Sequence, residues 1–177
     1  MLIFTRRLPP DVDAPVLGTL RLTYDWRQKS RCRLRVADAV ASVAGQPAPL
    51  GAGDEVGLDL PRGAVLRDCD RIATDCGIAL GVRAATEQLL HVRAASALAL
   101  TRIAYHLGNR HVPVQIGSDG TTGWLRLQLD HVIEQMVAGL GGAMQVVSAP
   151  FDPEAGAYGG HAHGAAPRIH DFTDLPR

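Results

Sequence analysis

Gln88-Leu89-Leu90-His91-Val92 opens a run that closes at Met144-Gln145-Val146-Val147-Ser148, and between these two strand-like segments the hydrophobic period changes repeatedly. From Ala94 onward, Leu100, Ile103, Ala104 and Leu107 recur at helical spacing until Gly108, a residue suited to ending a helix. Val112–Ile116 and Gly123–Leu129 then read as strands on either side of the turn Gly117-Ser118-Asp119-Gly120. Asp130 offers an N-cap to a second helix carrying Val132, Ile133, Met136, Val137 and Leu140, and Gly141-Gly142 ends it. The order is β-α-β-β-α-β, that of the split βαβ unit. It predicts a ferredoxin-like domain over residues 85–150. Such a fold hosts many functions and selects none.

Upstream, apolar or alternating runs are short: Met1–Phe4, Leu17–Tyr24, Arg31–Val36, Val56–Leu60 and Gly77–Val82. Pro9-Pro10, the Gly45–Gly53 stretch and Pro61-Arg62-Gly63 separate them, which is strand-and-turn spacing. Residues 1–84 are therefore expected to form a small all-β domain, and the whole chain is expected to be α+β. Residues 151–177 are rich in Gly, Ala and Pro with scattered His, and have too little apolar surface to offset the entropy of ordering. A flexible C-terminal tail is the expectation there.

The 177 residues are 46% hydrophobic and 20% charged, enough for a real core and unlike a disordered chain. Eighteen Lys plus Arg balance eighteen Asp plus Glu, so the global field that steers non-specific nucleic-acid binding is missing. Aromatics, at 5%, leave little for base stacking. No apolar run approaches a membrane span, and the first residues lack the pattern of a signal peptide. The expected location is the cytoplasm, with neither nucleic acid nor membrane as partner. Cys32, Cys69 and Cys76 are odd in number and irregularly spaced, which fits reduced structural thiols better than disulfides or a paired zinc motif.

Three of the seven histidines, His161, His163 and His170, fall in the tail. Neutral imidazole suits Zn, Cu and Ni, and a mobile segment can wrap an ion without backbone strain. A solvated tail with incidental histidines is the competing reading. His111 follows Gly108-Asn109-Arg110 at the junction of helix and strand. Alone it is a poor site, but a two-fold homodimer would bring two copies together. A satisfied surface or interfacial histidine is the alternative. His131 sits on the first turn of the second helix, where the helix dipole disfavours a cation, and reads as structural or solvated. Arg27, Lys29, Arg31, Arg33 and Arg35 alternate strictly, which on a strand would put every charge on one face. That face would either dock an acidic or nucleotide-loaded partner or pair with acids on neighbouring strands. No nucleophile-and-base motif, metalloprotease motif or phosphate loop is present, so an enzyme is not expected.

Together these segments resemble the UreE family of urease accessory proteins, which are nickel metallochaperones. The resemblance rests above all on Ala104-Tyr105-His106-Leu107-Gly108-Asn109-Arg110-His111-Val112-Pro113-Val114-Gln115. Lys29-Ser30-Arg31, Leu60-Pro61-Arg62-Gly63, Asp130-His131-Val132 and Pro150–Tyr158 extend it over nearly the whole chain. It implies an N-terminal β domain of partner- or peptide-binding type, and a homodimer formed through the ferredoxin-like domain. It implies Ni²⁺ held by His111 of both chains, with His161, His163 and His170 as variable tail ligands and His131 as a peripheral one. It further implies a urease accessory GTPase and the urease apoprotein as partners. Zn²⁺ and Cu²⁺ are further candidate ions, since imidazoles alone favour Cu²⁺ in the Irving–Williams order. An interaction module, or a general Zn, Cu and Ni buffer, is the alternative function.

The chain also departs from family patterns. Leu129 stands where some members carry a second histidine, Ala94 where some carry a cysteine, and Cys69 where glycine is usual in Leu66-Arg67-Asp68-Cys69-Asp70. Many members have a longer histidine-rich tail, so the resemblance implies weak nickel storage here.

Overall fold

The structure is a computed structural model that describes residues 1–12, 14, 16–35, 50, 53–120 and 122–155. In chain order its elements are β1 (Leu2–Phe4), β2 (Arg6–Leu8), β3 (Val16–Leu22), α1 (Tyr24–Arg27), β4 (Arg31–Arg35), β5 (Glu55–Asp59), β6 (Arg71–Ala73) and β7 (Ala79–Ala84). They continue with β8 (Thr86–Arg93), α2 (Ala97–Gly108), β9 (Gln115–Ser118), β10 (Gly123–Gln128), α3 (His131–Gly139) and β11 (Ala143–Pro150). The chain is mixed α+β. No helix among the described residues is long and apolar enough to cross a membrane.

From β8 onward the order is β-α-β-β-α-β, and the four strands form one antiparallel sheet in the order β11-β8-β10-β9. Alternation along the strands sends Leu90, Val92, Leu125 and Leu127 to the helix-covered face. There they bury against Leu100, Ile103 and Leu107 of α2 and against Ile133 and Val137 of α3. The side chains between them go to the other face, where His91 is buried. Its Nδ1 accepts a hydrogen bond from Arg126 Nε at 3.3 Å. The Arg126 guanidinium stacks 4.3 Å from the Trp124 ring centroid, and that ring lies flat against Gly117, where a Cβ would stand 2.0 Å from it. Burial, with Arg126 and Arg93 adding to it, pushes the His91 imidazole below its ordinary pKa.

The first half holds two sheets, β1-β5-β4 and β2-β6-β7-β3. Phe4, Leu34, Val56 and Leu58 from the first share a core with Leu20, Leu22, Ile72, Leu80 and Val82 from the second. A third cluster joins the two halves: Tyr24 meets Phe151 edge-on at 5.2 Å, packed with Leu89 and Ala149.

Several sequence expectations need correction. The strand expected over Leu17–Tyr24 ends at Leu22, and Tyr24–Arg27 form one helical turn among the strands of this half. The run Arg27, Lys29, Arg31, Arg33, Arg35 is therefore not one strand. Arg27 closes α1 and is fully buried, while Lys29 lies in the following turn with Nζ 3.7 Å above the Trp26 ring. The strand expected from Val112 begins at Gln115, because residues up to Val112 complete the end of α2 and Pro113 has no N–H for a ladder. Of the cysteines, all free, only Cys32 packs against the core, and Cys69 and Cys76 are exposed. Cys69 has a φ of 68°, the left-handed region that glycine occupies without steric cost, which accounts for a position where glycine would be at home. The tail expected to be flexible over residues 151–177 is held at its start, where Phe151 is fully buried and the Asp152 and Glu154 N–H groups are hydrogen-bonded. From residue 156 onward, with His161, His163 and His170, it lies outside the described residues.

Candidate functional site

The end of α2 builds the site. Ser96 caps its start, Oγ accepting from the Ala99 N–H at 3.2 Å, and Leu100, Ile103 and Leu107 fix its buried stripe. At its far end the Val112 N–H reaches back to the Leu107 carbonyl at 3.2 Å, and the His111 N–H to that of Gly108 at 2.9 Å. These are the two bonds of a Schellman motif, and they put His111 at the position that must turn left-handed. Its φ is 55°. α3 closes with the same pair of bonds, Gly142 to Val137 and Gly141 to Ala138, each 2.9 Å, and there the left-handed residue is Gly141 with φ 80°. His111 thus occupies a place for which glycine is the usual residue. Left-handed backbone costs a non-glycine residue roughly 1 kcal/mol, and such outliers concentrate where a side chain has work to do.

The His111 side chain is exposed, with its backbone locked by the helix end beneath it. It stands by the carbonyl end of α2, where the helix dipole favours a cation. His131 is placed oppositely. It is the exposed first residue of α3, behind the cap in which Asp130 Oδ1 accepts from Val132 N–H at 2.8 Å and Ile133 N–H at 3.1 Å. His106, which the sequence pattern does not single out, is half-buried in the last turns of α2 with its ring 5.4 Å from that of Tyr105. Among the described residues no three His, Cys, Asp or Glu side chains converge as a metal cluster.

The segment after β11 runs close to this site. The Asp152 N–H donates to Gln115 Oε1 at 3.3 Å, and the Glu154 N–H to the Val114 carbonyl at 2.8 Å, three residues from His111. Of the basic series, only Arg31, Arg33 and Arg35 share an exposed strand face, on β4. Arg31 pairs with Asp59 at 2.5 Å and Arg35 with Glu55 at 3.6 Å, both on β5, whereas Arg33 lies opposite Gly57.

The family model for the UreE urease accessory protein, C-terminal domain, matches residues 87–174, which begin at β8 and include His111. Relatives named Urease accessory protein UreE match across both halves. That of Burkholderia thailandensis is 48% identical over 156 residues, covering 88% of this chain and 62% of the relative. That of Paraburkholderia xenovorans is 47% identical over 165 residues, 90% of this chain and 63% of the relative. One from Burkholderia pseudomallei is 48% identical over 155 residues, 87% of this chain and 65% of the relative. The chain belongs to the UreE family of urease accessory proteins. It spans under two thirds of the length of these UreE relatives, 62% to 65%. UreE relatives are named as accessory proteins and not as enzymes.

Proposed function

We propose that this UreE-family chain is a nickel metallochaperone that works as a homodimer, binds Ni²⁺ between His111 of two copies and hands it on for assembly of the urease active site. The observation that carries the reading is His111 itself, exposed, rigidly based and held in a backbone conformation that glycine would adopt more easily. With no three ligands converging among the described residues, a site centred on His111 draws its further donors from a second copy and from the tail.

Exposed apolar side chains offer a face for that second copy. Leu98 and Tyr105, seven residues apart on α2 and so on one side of it, are 63% and 65% exposed, and Ile116 on the edge strand β9 is 55% exposed. A two-fold contact over these apolar side chains would bring both His111 residues toward the axis. The tail supplies the remaining ligands from His161, His163 and His170. His161 is seven residues beyond Glu154, an extended span of about 25 Å, which is chain enough to reach a His111 whose own loop Glu154 touches. His131 is a peripheral ligand only. Residues 1–84 form the partner-facing domain, 85–150 the metal-binding and dimerisation domain, and 151–177 the ligand-bearing tail. The urease apoprotein and an accessory GTPase are the partners, and the cytoplasm is the compartment.

The test is urease activity in cells over a nickel series. Loss of the protein and His111→Ala should lower activity most at limiting nickel, a chain ending before Gly160 should lower it less, and added nickel should restore much of it, since the recipient site itself binds the metal. Equal activity in all strains at limiting nickel removes the delivery function. A second reading, an interaction module, is favoured by Arg33, which has no acid opposite it on β5. It would show as loss of activity in Arg33→Ala with nickel binding intact. A general Zn, Cu or Ni buffer would bind metal without affecting urease.

A further inference from the structure

The sheet order sets a distance problem. β11, from which the tail departs, is one edge of the sheet, and β9, next to the His111 loop, is the other. Three strand spacings separate them, about 14 Å. Residues 151–154 cross that gap, since Pro150 still pairs with Thr86 of β8 while the Glu154 N–H already bonds the Val114 carbonyl. The crossing is clamped from the other half of the molecule. Arg27 is fully buried at the end of α1, and its Nη1 donates to Asp152 Oδ1 at 2.9 Å and to the Leu66 carbonyl at 3.0 Å. Its Nη2 donates to the Phe151 carbonyl. Arg67 Nε adds a second cation 3.4 Å from the same Asp152 oxygen, and the Phe151 ring is fully buried against Tyr24. Arg27 Nε has no hydrogen-bond partner, so this guanidinium has been desolvated for the contacts of its two terminal nitrogens.

We infer that Arg27 is a positioning residue for the metal site: by clamping Phe151 and Asp152 it holds residues 151–154 as a strap that carries the root of the tail from the β11 edge to the β9 edge, beside His111. This rests on the reading of the tail histidines as supplementary ligands. Tethering acts through effective concentration, which falls with linker length and with the distance to be spanned. With the strap in place His161 is seven residues from the root at Glu154. With the strap loose, the root retreats to Pro150, eleven residues away and on the far edge of the sheet. The tail's contribution to nickel affinity should then fall by roughly two- to tenfold.

The experiment is nickel titration of the full chain in a two-by-two design, Arg27→Met or Asp152→Ala combined with a tail in which His161, His163 and His170 are all alanine. Thermal unfolding checks the fold of each variant. Glu154→Pro, which deletes the N–H bonded to Val114, is a third way to free the strap if burial makes Arg27→Met unfold. The expected result is weaker nickel binding from each strap variant with the native tail, and no change with the alanine tail. A merely structural role would lower the unfolding temperature in both backgrounds and leave the nickel affinity of each background unchanged by the strap substitution. Native affinity in folded strap variants, while the alanine tail alone weakens binding, overturns the inference. An alanine tail without effect on nickel overturns instead the reading of the tail on which it rests.

Discussion

His111 holds at the end of α2 the place that Gly141 holds at the end of α3, with the same two backbone bonds and the same left-handed turn. One helix end is built for geometry alone, while the other spends a favourable backbone residue to present an imidazole. His111→Gly should therefore keep the fold, changing stability by no more than about 1 kcal/mol and in the stabilising direction. Cys69→Gly should act likewise at φ 68°. Thermal unfolding of the two variants checks both, and a marked loss of stability in His111→Gly would mean that the imidazole is a structural contact.

Gly117→Ala should behave in the opposite way. Its Cβ would stand 2.0 Å from Trp124, whose ring is held between that glycine and the Arg126 guanidinium. Displacing the ring should cost about 1–3 kcal/mol, as overpacking does elsewhere. Denaturant unfolding measures it, and a variant as stable as the parent would show that Trp124 is free to move.

His91 makes stability depend on pH. Its pKa is lowered in the folded chain, first by burial and then by Arg126 and Arg93, so the unfolded chain binds this proton more readily. The stability due to neutral His91 is thus present above the ordinary histidine value of about 6.5, and is lost as pH falls from there through the folded value. Unfolding temperatures should drop over this window, and drop less in His91→Gln. An equal drop in both would assign the effect to other groups.

What the sequence made legible is local. Asp130 as a cap, Gly141 as a stop and the changes of hydrophobic period all act within a few residues, and they predict the order and types of the elements from β8 to β11. Arg27 and Lys29 misled because a period of two is also met by chance when a helical turn and its exit precede a strand. The left-handed turn at His111 is not written in its identity, since only glycine advertises that backbone. The strap is invisible for another reason: Arg27 and Asp152 are 125 positions apart, and only folding reveals that they touch.

The most direct measurement is nickel titration of the intact protein beside His111→Gly, with stoichiometry counted per chain and the oligomeric state followed in parallel. The native protein should be a dimer whose tightest class holds one Ni²⁺ per two chains and weakens on acidification, because imidazole ligands must be neutral. In His111→Gly that class should vanish from a protein that stays folded and dimeric. An unchanged tight site in that variant, or one ion per chain in the native protein, would contradict a nickel site shared between two copies of His111.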